Sequence, residues 1–333
     1  ETGDKIRPRG LVQTGGMIHE NAKPEKFSML EKLKLNVVII GCGGVAKKYV
    51  EPMQAYNNVE IRGYFDHDQK RAEQLASEYG GYVYDSLDNV LADPEVDIIV
   101  NLTIQTAHVD VITACLEAGK HVHSEKPMAM SYAEAERLVD LAERRGGRLS
   151  SAPVNYMGEA QQTALKLVRD GKTGPARAVY AEVNHGRIET WHPNPVPFYD
   201  VGPLWDVGVY PLTLLTAFFG PAKRVHGFAK VLLPDRVTRD GTPFHVDTPE
   251  FYIGIIELAN GTVVRLTANF YVINSKQGGA VEILGDNGNV YLSNFMRFDA
   301  NVEYSPLGGD YEPVKPLLPD AYKGCNYARG IED

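Results

Sequence analysis

Leu35-Asn36-Val37-Val38-Ile39-Ile40-Gly41-Cys42-Gly43-Gly44-Val45-Ala46 is the stretch whose reading decides the fold. Its first six residues form a nearly unbroken β-branched and aliphatic run. Such runs read as strands buried on both faces, as in a parallel sheet. The glycines follow at once, and a helical stretch begins near Ala46. In the pattern Gly41-x-Gly43-x-x-Ala46, Gly41 permits a tight turn and Gly43 lets the backbone approach a pyrophosphate. Ala46 allows close helix–strand packing, and the helix amino end attracts phosphates. The rival reading is an ordinary glycine turn, because the pattern alone is weak.

Working outward, Val59–Phe65 is the next strand and ends at Asp66, twenty residues after Ala46. A carboxylate at that place can accept both hydroxyls of an adenosine ribose and repel a 2′-phosphate. NAD is therefore expected in preference to NADP. Gly44, Val45 and His67 flank these positions and are counted with the cofactor site. A helix follows with Ala72, Leu75, Ala76 and Tyr79 on one face, Asp68 as its N-cap and Gly80 as its stop. Val96–Leu102 is another buried strand, followed by a helix over about 109–118 and a short strand at His121–Ser124. Ser131 and Glu134 form a capping box before a helix whose core stripe is Ala135, Leu138, Val139 and Ala142.

Strand and helix alternate from Leu35 to about Ser151, which implies right-handed βαβ units and a doubly wound parallel sheet. The second half reads differently. A helix over about 158–170 leads into an apolar segment at 176–183. A loop with Pro193, Pro195 and Pro197 precedes a helix at about 206–219, and strands dominate after Gly220. Val264, Leu266, Ala268 and Phe270 alternate with polar residues, and Asn260-Gly261 reads as a hairpin turn back to 251–258. Asp286-Asn287-Gly288 marks another turn. The chain is expected to be an α/β protein with an α+β second domain built on a mostly antiparallel open sheet. The boundaries are read as an N-terminal extension or arm over 1–34, a dinucleotide-binding domain over 35–154 and a substrate-binding and oligomerisation domain over 155–333. Within the arm, Met17 is a candidate native start.

The 333 residues carry 34 Lys+Arg against 43 Asp+Glu, a net charge of −9. That balance disfavours a nucleic-acid partner, which needs clustered cations. Hydrophobic residues make up 44% and charged residues 23%, an ordinary globular composition. No apolar run approaches the ~20 residues of a membrane span, so no membrane partner is expected. Cys42, Cys115 and Cys325 are too few and scattered for a disulfide framework, and the nine histidines lack metal-site spacing. No metal is expected. A cytoplasmic location is the default, with periplasmic or secreted locations left open by the start of the chain.

Two further motifs carry chemistry. Ser124-Glu125-Lys126-Pro127 lies at the carboxyl end of a parallel strand, the edge where ligands of open α/β sheets bind. Lys126 could hydrogen-bond a substrate hydroxyl there, although a lone lysine in a loop is more often solvated. Asp206-Val207-Gly208-Val209-Tyr210 opens the helix of the second half. Positions i and i+4 share a helix face, so Asp206 and Tyr210 can point at one pocket. A nearby Lys⁺ would lower the Tyr210 pKa and suit it to accept a proton. A capped helix with a half-buried tyrosine is the bland alternative.

Taken in order, Gly41–Ala46, Asp66, Thr103-Ile104-Gln105 with His108, Glu125-Lys126-Pro127 and Asp206–Tyr210 resemble the Gfo/Idh/MocA oxidoreductases over roughly residues 35–333. The resemblance implies an N-terminal Rossmann domain and a C-terminal open sheet that also mediates oligomers, here a homodimer or homotetramer. It implies Lys126 near nicotinamide and the reacting carbon, Asp206 orienting substrate, and Tyr210 as acid/base where many members carry histidine. Thr103, Gln105, His108, Glu125 and Lys126 would line the cofactor. Asn155, Trp191 and His192 would contact the sugar with Lys126, Asp206 and Tyr210. Ile104 and Gln105 depart from the common Pro and Asn. Relatives usually continue past Asp333 with helical sequence, so more chain is expected there.

The reaction class implied is NAD-dependent hydride transfer to or from a sugar or sugar-like polyol. Two rivals share the motifs: a glycosidase using transient NAD-dependent oxidation, and a non-catalytic nucleotide-binding regulator.

Overall fold

The computed structural model describes residues 34–318 and 322–332. The arm over residues 1–33, with its candidate start at Met17, lies outside the described residues. β1 (Leu35–Ile40) sends Val37 and Ile39 into one apolar core and Val38 and Ile40 into another. The sheet is thus covered on both faces, which is why Val37–Ile40 of this strand are all apolar.

Around β1 run α1 (Ala46–Met53), β2 (Val59–Phe65), α2 (Gln69–Tyr79), β3 (Tyr82–Val83), α3 (Leu87–Ala92) and β4 (Ile98–Asn101). α4 (His108–Glu117), β5 (His121–Ser124), α5 (Tyr132–Arg145) and β6 (Leu149–Ser151) complete the layer. All pairings are parallel, in the order β3-β2-β1-β4-β5-β6. The order reverses between β1 and β4, and in such sheets ligands sit outside the carboxyl strand ends at that crevice. β3 and α3 were not foreseen; both are short and carry no clear periodicity. Ser131 caps α5, its Oγ accepting from Glu134 N at 3.3 Å. Asp68 stands at the N-cap of α2 but makes no side-chain cap, because its carboxylate pairs with Arg71.

The second layer contains α6 (Glu159–Arg169), β7 (Ala176–Asn184), α7 (Val196–Val201), α8 (Val209–Phe219) and β8 (Ala222–Lys230). β9 (Asp235–Val237) and β10 (Pro243–His245) form a small hairpin of their own. β11 (Phe251–Leu258), β12 (Val263–Asn269), β13 (Val281–Gly285), β14 (Gly288–Leu292), β15 (Val302–Pro306) and β16 (Glu312–Pro313) follow. The large sheet runs β16-β15-β14-β13-β7-β12-β11-β8, antiparallel except for the parallel pair β7–β12. The expected hairpin joins β11 to β12, with Gly261 at φ +90°.

Val264, Leu266 and Ala268 point to the core shared with α8, whereas Val225, Phe228, Ile253 and Ile255 on β8 and β11 are exposed in this chain. Finally, α9 (Arg329–Glu332) belongs to a C-terminal segment that returns to the first layer. Ala328 and Ile331 are buried in the core beside Val37 and Tyr49.

Candidate active site

The turn after β1 is forced by contact. Gly41 has φ +92°, and a Cβ there would lie 2.6 Å from the carbonyl carbon and oxygen of Leu102. Only glycine fits both constraints. At Gly43 and Gly44 a Cβ would meet no atom within 4 Å. Their bareness leaves open space beside backbone, and no side chain caps the start of α1. Ala46, fully buried, closes the turn against the sheet. Asp66, just past β2, accepts from Cys42 N at 2.7 Å and from Asp68 N at 2.8 Å. Its carboxylate is thereby fixed beside the turn, with lone pairs to spare. His67 is exposed next to it. Open space, bare backbone, an uncapped helix end and a fixed carboxylate are what a dinucleotide needs. Burial pushes the Cys42 thiol up to about 12, so this residue contributes its backbone and not a thiolate.

Of this turn, Gly44 and Val45 line a cleft of about 1340 Å³ that also reaches Thr103, Gln105, His108, Glu125, Lys126, Trp191, His192, Asp206 and Tyr210, whereas Asp66 and His67 lie outside its lining. Thr103 is fixed by its hydroxyl on Asn101 Oδ1 at 2.7 Å. His108 differs from expectation. It is buried, with Nδ1 at 2.7 Å from the Pro127 carbonyl and Nε2 at 3.0 Å from the Thr103 carbonyl. Both ring nitrogens face carbonyl oxygens, and whichever carries the proton donates to its carbonyl, so His108 bridges two cleft loops. Glu125 likewise has its carboxylate engaged, by Tyr49 OH at 2.7 Å and Lys126 N at 2.9 Å.

Lys126 crosses the cleft. Its Nζ donates to the Asp206 carbonyl at 2.7 Å and to Asp206 Oδ1 at 2.8 Å. An ammonium has three donors, so one remains. Asp206 lies in a π-helical turn, Leu204–Gly208, ahead of α8. Pro211 has no N–H to return to Asp206 or Val207, so the sequence itself loosens this turn. The expected single helix from 206 is therefore two pieces, and Lys126 serves the exposed carbonyl.

Tyr210, in the first turn of α8, lies with its ring centroid 5.9 Å from Lys126 Nζ. Its phenol overturns one expectation. Burial first, then Tyr327, Glu125 and Asp206, hold it well above the usual tyrosine value, not below it. The Lys126 charge is answered by Asp206 and does not offset desolvation. Asn155 also departs from expectation. It lies in a short 3₁₀ turn whose side chain points under α8. Nδ2 donates to Tyr210 O at 3.2 Å and Phe295 O at 2.8 Å. Asn155 lines a cavity of only about 20 Å³ behind Tyr210 and supports that tyrosine from the rear.

The opposite wall is aromatic. Trp191 stacks edge-on against His185 (5.6 Å) and Phe198 (5.9 Å), and His192 against Phe198 (4.8 Å). Burial holds the His185 imidazole below its ordinary value, so it is neutral. Behind this wall sits Arg236, whose side chain is 0% exposed. It donates to Glu189 Oε1 (2.8 Å), Tyr199 OH (2.8 Å) and Glu250 Oε1 (3.0 Å). Glu189 immediately precedes Thr190 and Trp191, and Tyr199 belongs to α7, so this buried ion cluster anchors the wall.

The residues sequence reasoning missed are His185, Phe198, Arg236 and Tyr327. An aromatic-rich loop between prolines was a usable signal for Phe198. Arg236 and Tyr327 had no local signal. Among the described residues, no cluster of three or more His, Cys, Asp or Glu could hold a metal, and no helix is long and apolar enough to cross a membrane.

Comparisons with known proteins agree with this fold. Residues 35–152 match the oxidoreductase family with an NAD-binding Rossmann fold, and residues 161–291 match the GFO/IDH/MocA C-terminal domain. An uncharacterized oxidoreductase of Rhizobium meliloti is 31% identical over 54% of this chain and 55% of its own. The dTDP-3,4-didehydro-2,6-dideoxy-α-D-glucose 3-reductase of Streptomyces violaceoruber is 28% identical over 58% of this chain and 57% of its own. The matched stretch thus spans little more than half the length of these relatives. A crystal structure of an NAD binding oxidoreductase from Klebsiella pneumoniae superposes with TM-score 0.76 at 19% identity, over 90% of this chain and 86% of that one, a likeness of fold. With both halves matched in order, the chain belongs to the Gfo/Idh/MocA family of oxidoreductases.

Proposed function

We propose that this protein is an NAD-dependent dehydrogenase or reductase acting on a CH–OH group of a sugar or sugar-like polyol. One observation carries the reading: Lys126 Nζ meets Asp206 across the cleft, beside the buried ring of Tyr210. Residues 35–154 bind the dinucleotide and 155–333 the substrate, the C-terminal segment returning to the first layer. The Gly41–Ala46 turn holds the pyrophosphate, and Thr103, Gln105 and the 125–126 backbone line the nicotinamide end. Nicotinamide, when bound, supplies or accepts the hydride.

The chain's own groups handle orientation and protons. Asp206 holds Lys126 in place, and the remaining ammonium N–H donates to the substrate oxygen, stabilising negative charge as it develops. The cleft shields this charge from bulk water, and away from water such contacts are stronger. Tyr210, kept protonated, is a ready proton donor to a carbonyl oxygen and, in the reverse direction, the acceptor of the hydroxyl proton. Trp191 and His192 offer faces to the apolar side of a sugar ring. Asp66 selects NAD by pairing with the ribose hydroxyls and repelling a 2′-phosphate. The same reading includes self-association, as a homodimer or homotetramer, through the exposed apolar face of β8 and β11; light scattering measures it.

The test is a fluorescence titration with NADH and NADPH, followed by a turnover screen across neutral sugars and polyols. NADH binds more tightly, Asp66→Ala loses the preference, and at least one sugar reduces NAD. Equal affinities in the parent refute the cofactor assignment. Glycoside cleavage without net NADH, or binding without redox, would replace the dehydrogenase reading by the glycosidase or the regulator.

A further inference from the structure

We propose that Tyr327, delivered by the C-terminal segment, is a positioning and proton-relay residue for Tyr210. The proposal rests on the acid/base reading of Tyr210 above and deepens it. Its starting point is a difficulty in that reading. A phenol held protonated donates readily but accepts a proton only if its own proton has somewhere to go.

The structure supplies that place. The Tyr327 phenol stands beside the Tyr210 phenol in the same cavity lining and is the titratable neighbour that acts on it most strongly, which is the contact the relay would use. Both side chains line the main cleft, and both line the small cavity behind it. Tyr327 is partly exposed whereas Tyr210 is buried, so the pair leads from the reacting centre toward solvent. The neighbouring phenol cannot substitute, because Tyr49 OH is engaged by Glu125.

The placement is built by a segment far along the chain. Asn326 hydrogen-bonds Tyr56, its Oδ1 accepts from Ala328 N at 3.1 Å, and Ala328 is buried in the first-layer core. Tyr327 is therefore pinned on both sides. Its ring lies 6.0 Å from Tyr49 and under Lys48 Nζ at 5.2 Å. Glu125 and Asp206 face it from the loop just past β5 and from the π-helical turn, and Cys325 from its own segment.

The protons balance as follows. In the oxidising direction the substrate hydroxyl proton passes to the Tyr210 oxygen. The Tyr210 proton passes to the Tyr327 oxygen, and the Tyr327 proton passes to cleft water. Both tyrosines end neutral, one proton leaves, and no free phenolate forms. Reduction runs the same chain backward.

The test uses Tyr327→Phe in the full chain, which keeps the ring packed on Tyr49 and below Lys48. The first readout needs no turnover. In protein labelled with 13C at tyrosine Cζ, the Tyr210 signal is identified by its loss in Tyr210→Phe. It shifts in Tyr327→Phe; an unmoved signal overturns the pairing. The second readout uses D-glucose, D-xylose and myo-inositol with NAD. Tyr327→Phe lowers kcat by roughly ten- to hundred-fold, a fraction of a full acid/base contribution, with KM within about twofold. Rate against deuterium content of the solvent is curved in the parent and linear in the variant. An unchanged kcat, or unchanged curvature, overturns the relay. Should no probe be oxidised by the parent, the proposed function fails, and the labelled-tyrosine result still decides the pairing.

Discussion

The two walls of the cleft are held by different physics. The first wall is backbone: strand ends, a glycine turn whose Cβ positions are blocked or bare, and a carboxylate fixed by two N–H groups. The second wall is side chains: an aromatic cluster whose loop is tied down by a buried Arg236 with two glutamates and a tyrosine. A wall made of backbone tolerates change where its atoms face open space and nowhere else. A wall made of charges out of water depends on every partner staying in place.

The largest effect should come from breaking the second wall. Arg236→Met strands two buried carboxylates and lowers stability by about 3–5 kcal/mol in urea denaturation, while the folded fraction binds NADH as before. Full stability in this variant would erase the distinction. On the first wall, His123 in β5 is buried with Nδ1 on Ser150 Oγ at 2.8 Å and holds a pKa lowered to about 4, because burial disfavours its charge. A lowered histidine contributes its full stability above the unfolded value near 6.5 and loses it as pH falls toward 4. The loss is on the order of 3 kcal/mol, and His123→Gln should flatten the stability–pH curve in that window.

Glycines sharpen the contrast within the first wall. Gly41→Ala is strained and clashes with Leu102, costing about 1–3 kcal/mol. Gly43→Val enters open space, so its melting temperature holds while NADH affinity falls at least about tenfold, near 1.4 kcal/mol. The smallest effect is at the exposed rim of the second wall. Trp191→Ala should raise the KM for a sugar by about three- to tenfold, the usual worth of one aromatic contact, with stability unchanged.

The same contrast governs what the sequence made legible. The first wall was readable because strand, glycine turn, helix and Asp66 follow one another within about thirty residues and local rules fix them. His108 and Glu125 line the cleft as read, but what the sequence did not show is that their side chains are engaged within the protein, His108 by the Thr103 and Pro127 carbonyls and Glu125 by Tyr49 and the Lys126 N–H. Of the second wall, only the Asp206–Tyr210 motif and the aromatic Trp191-His192 pair were visible. Pro211 is a local signal for the broken helix that the expected helix over 206–219 did not take into account, and the resulting carbonyl mattered only once Lys126 was seen to reach it. The raised Tyr210 phenol, Asn155 turned beneath α8, Arg236 and Tyr327 all depend on contacts between distant segments. No spacing in the chain encodes such contacts.

The central claim is that an ammonium and a protonated phenol, brought from opposite walls, manage the proton of a substrate hydroxyl. Stopped-flow NADH formation in Tyr210→Phe, set beside the parent on the same sugar, tests it most directly. The account predicts a loss of roughly 10²–10⁴ in the rate with NADH affinity and folding preserved. A rate within a few-fold of the parent would contradict it.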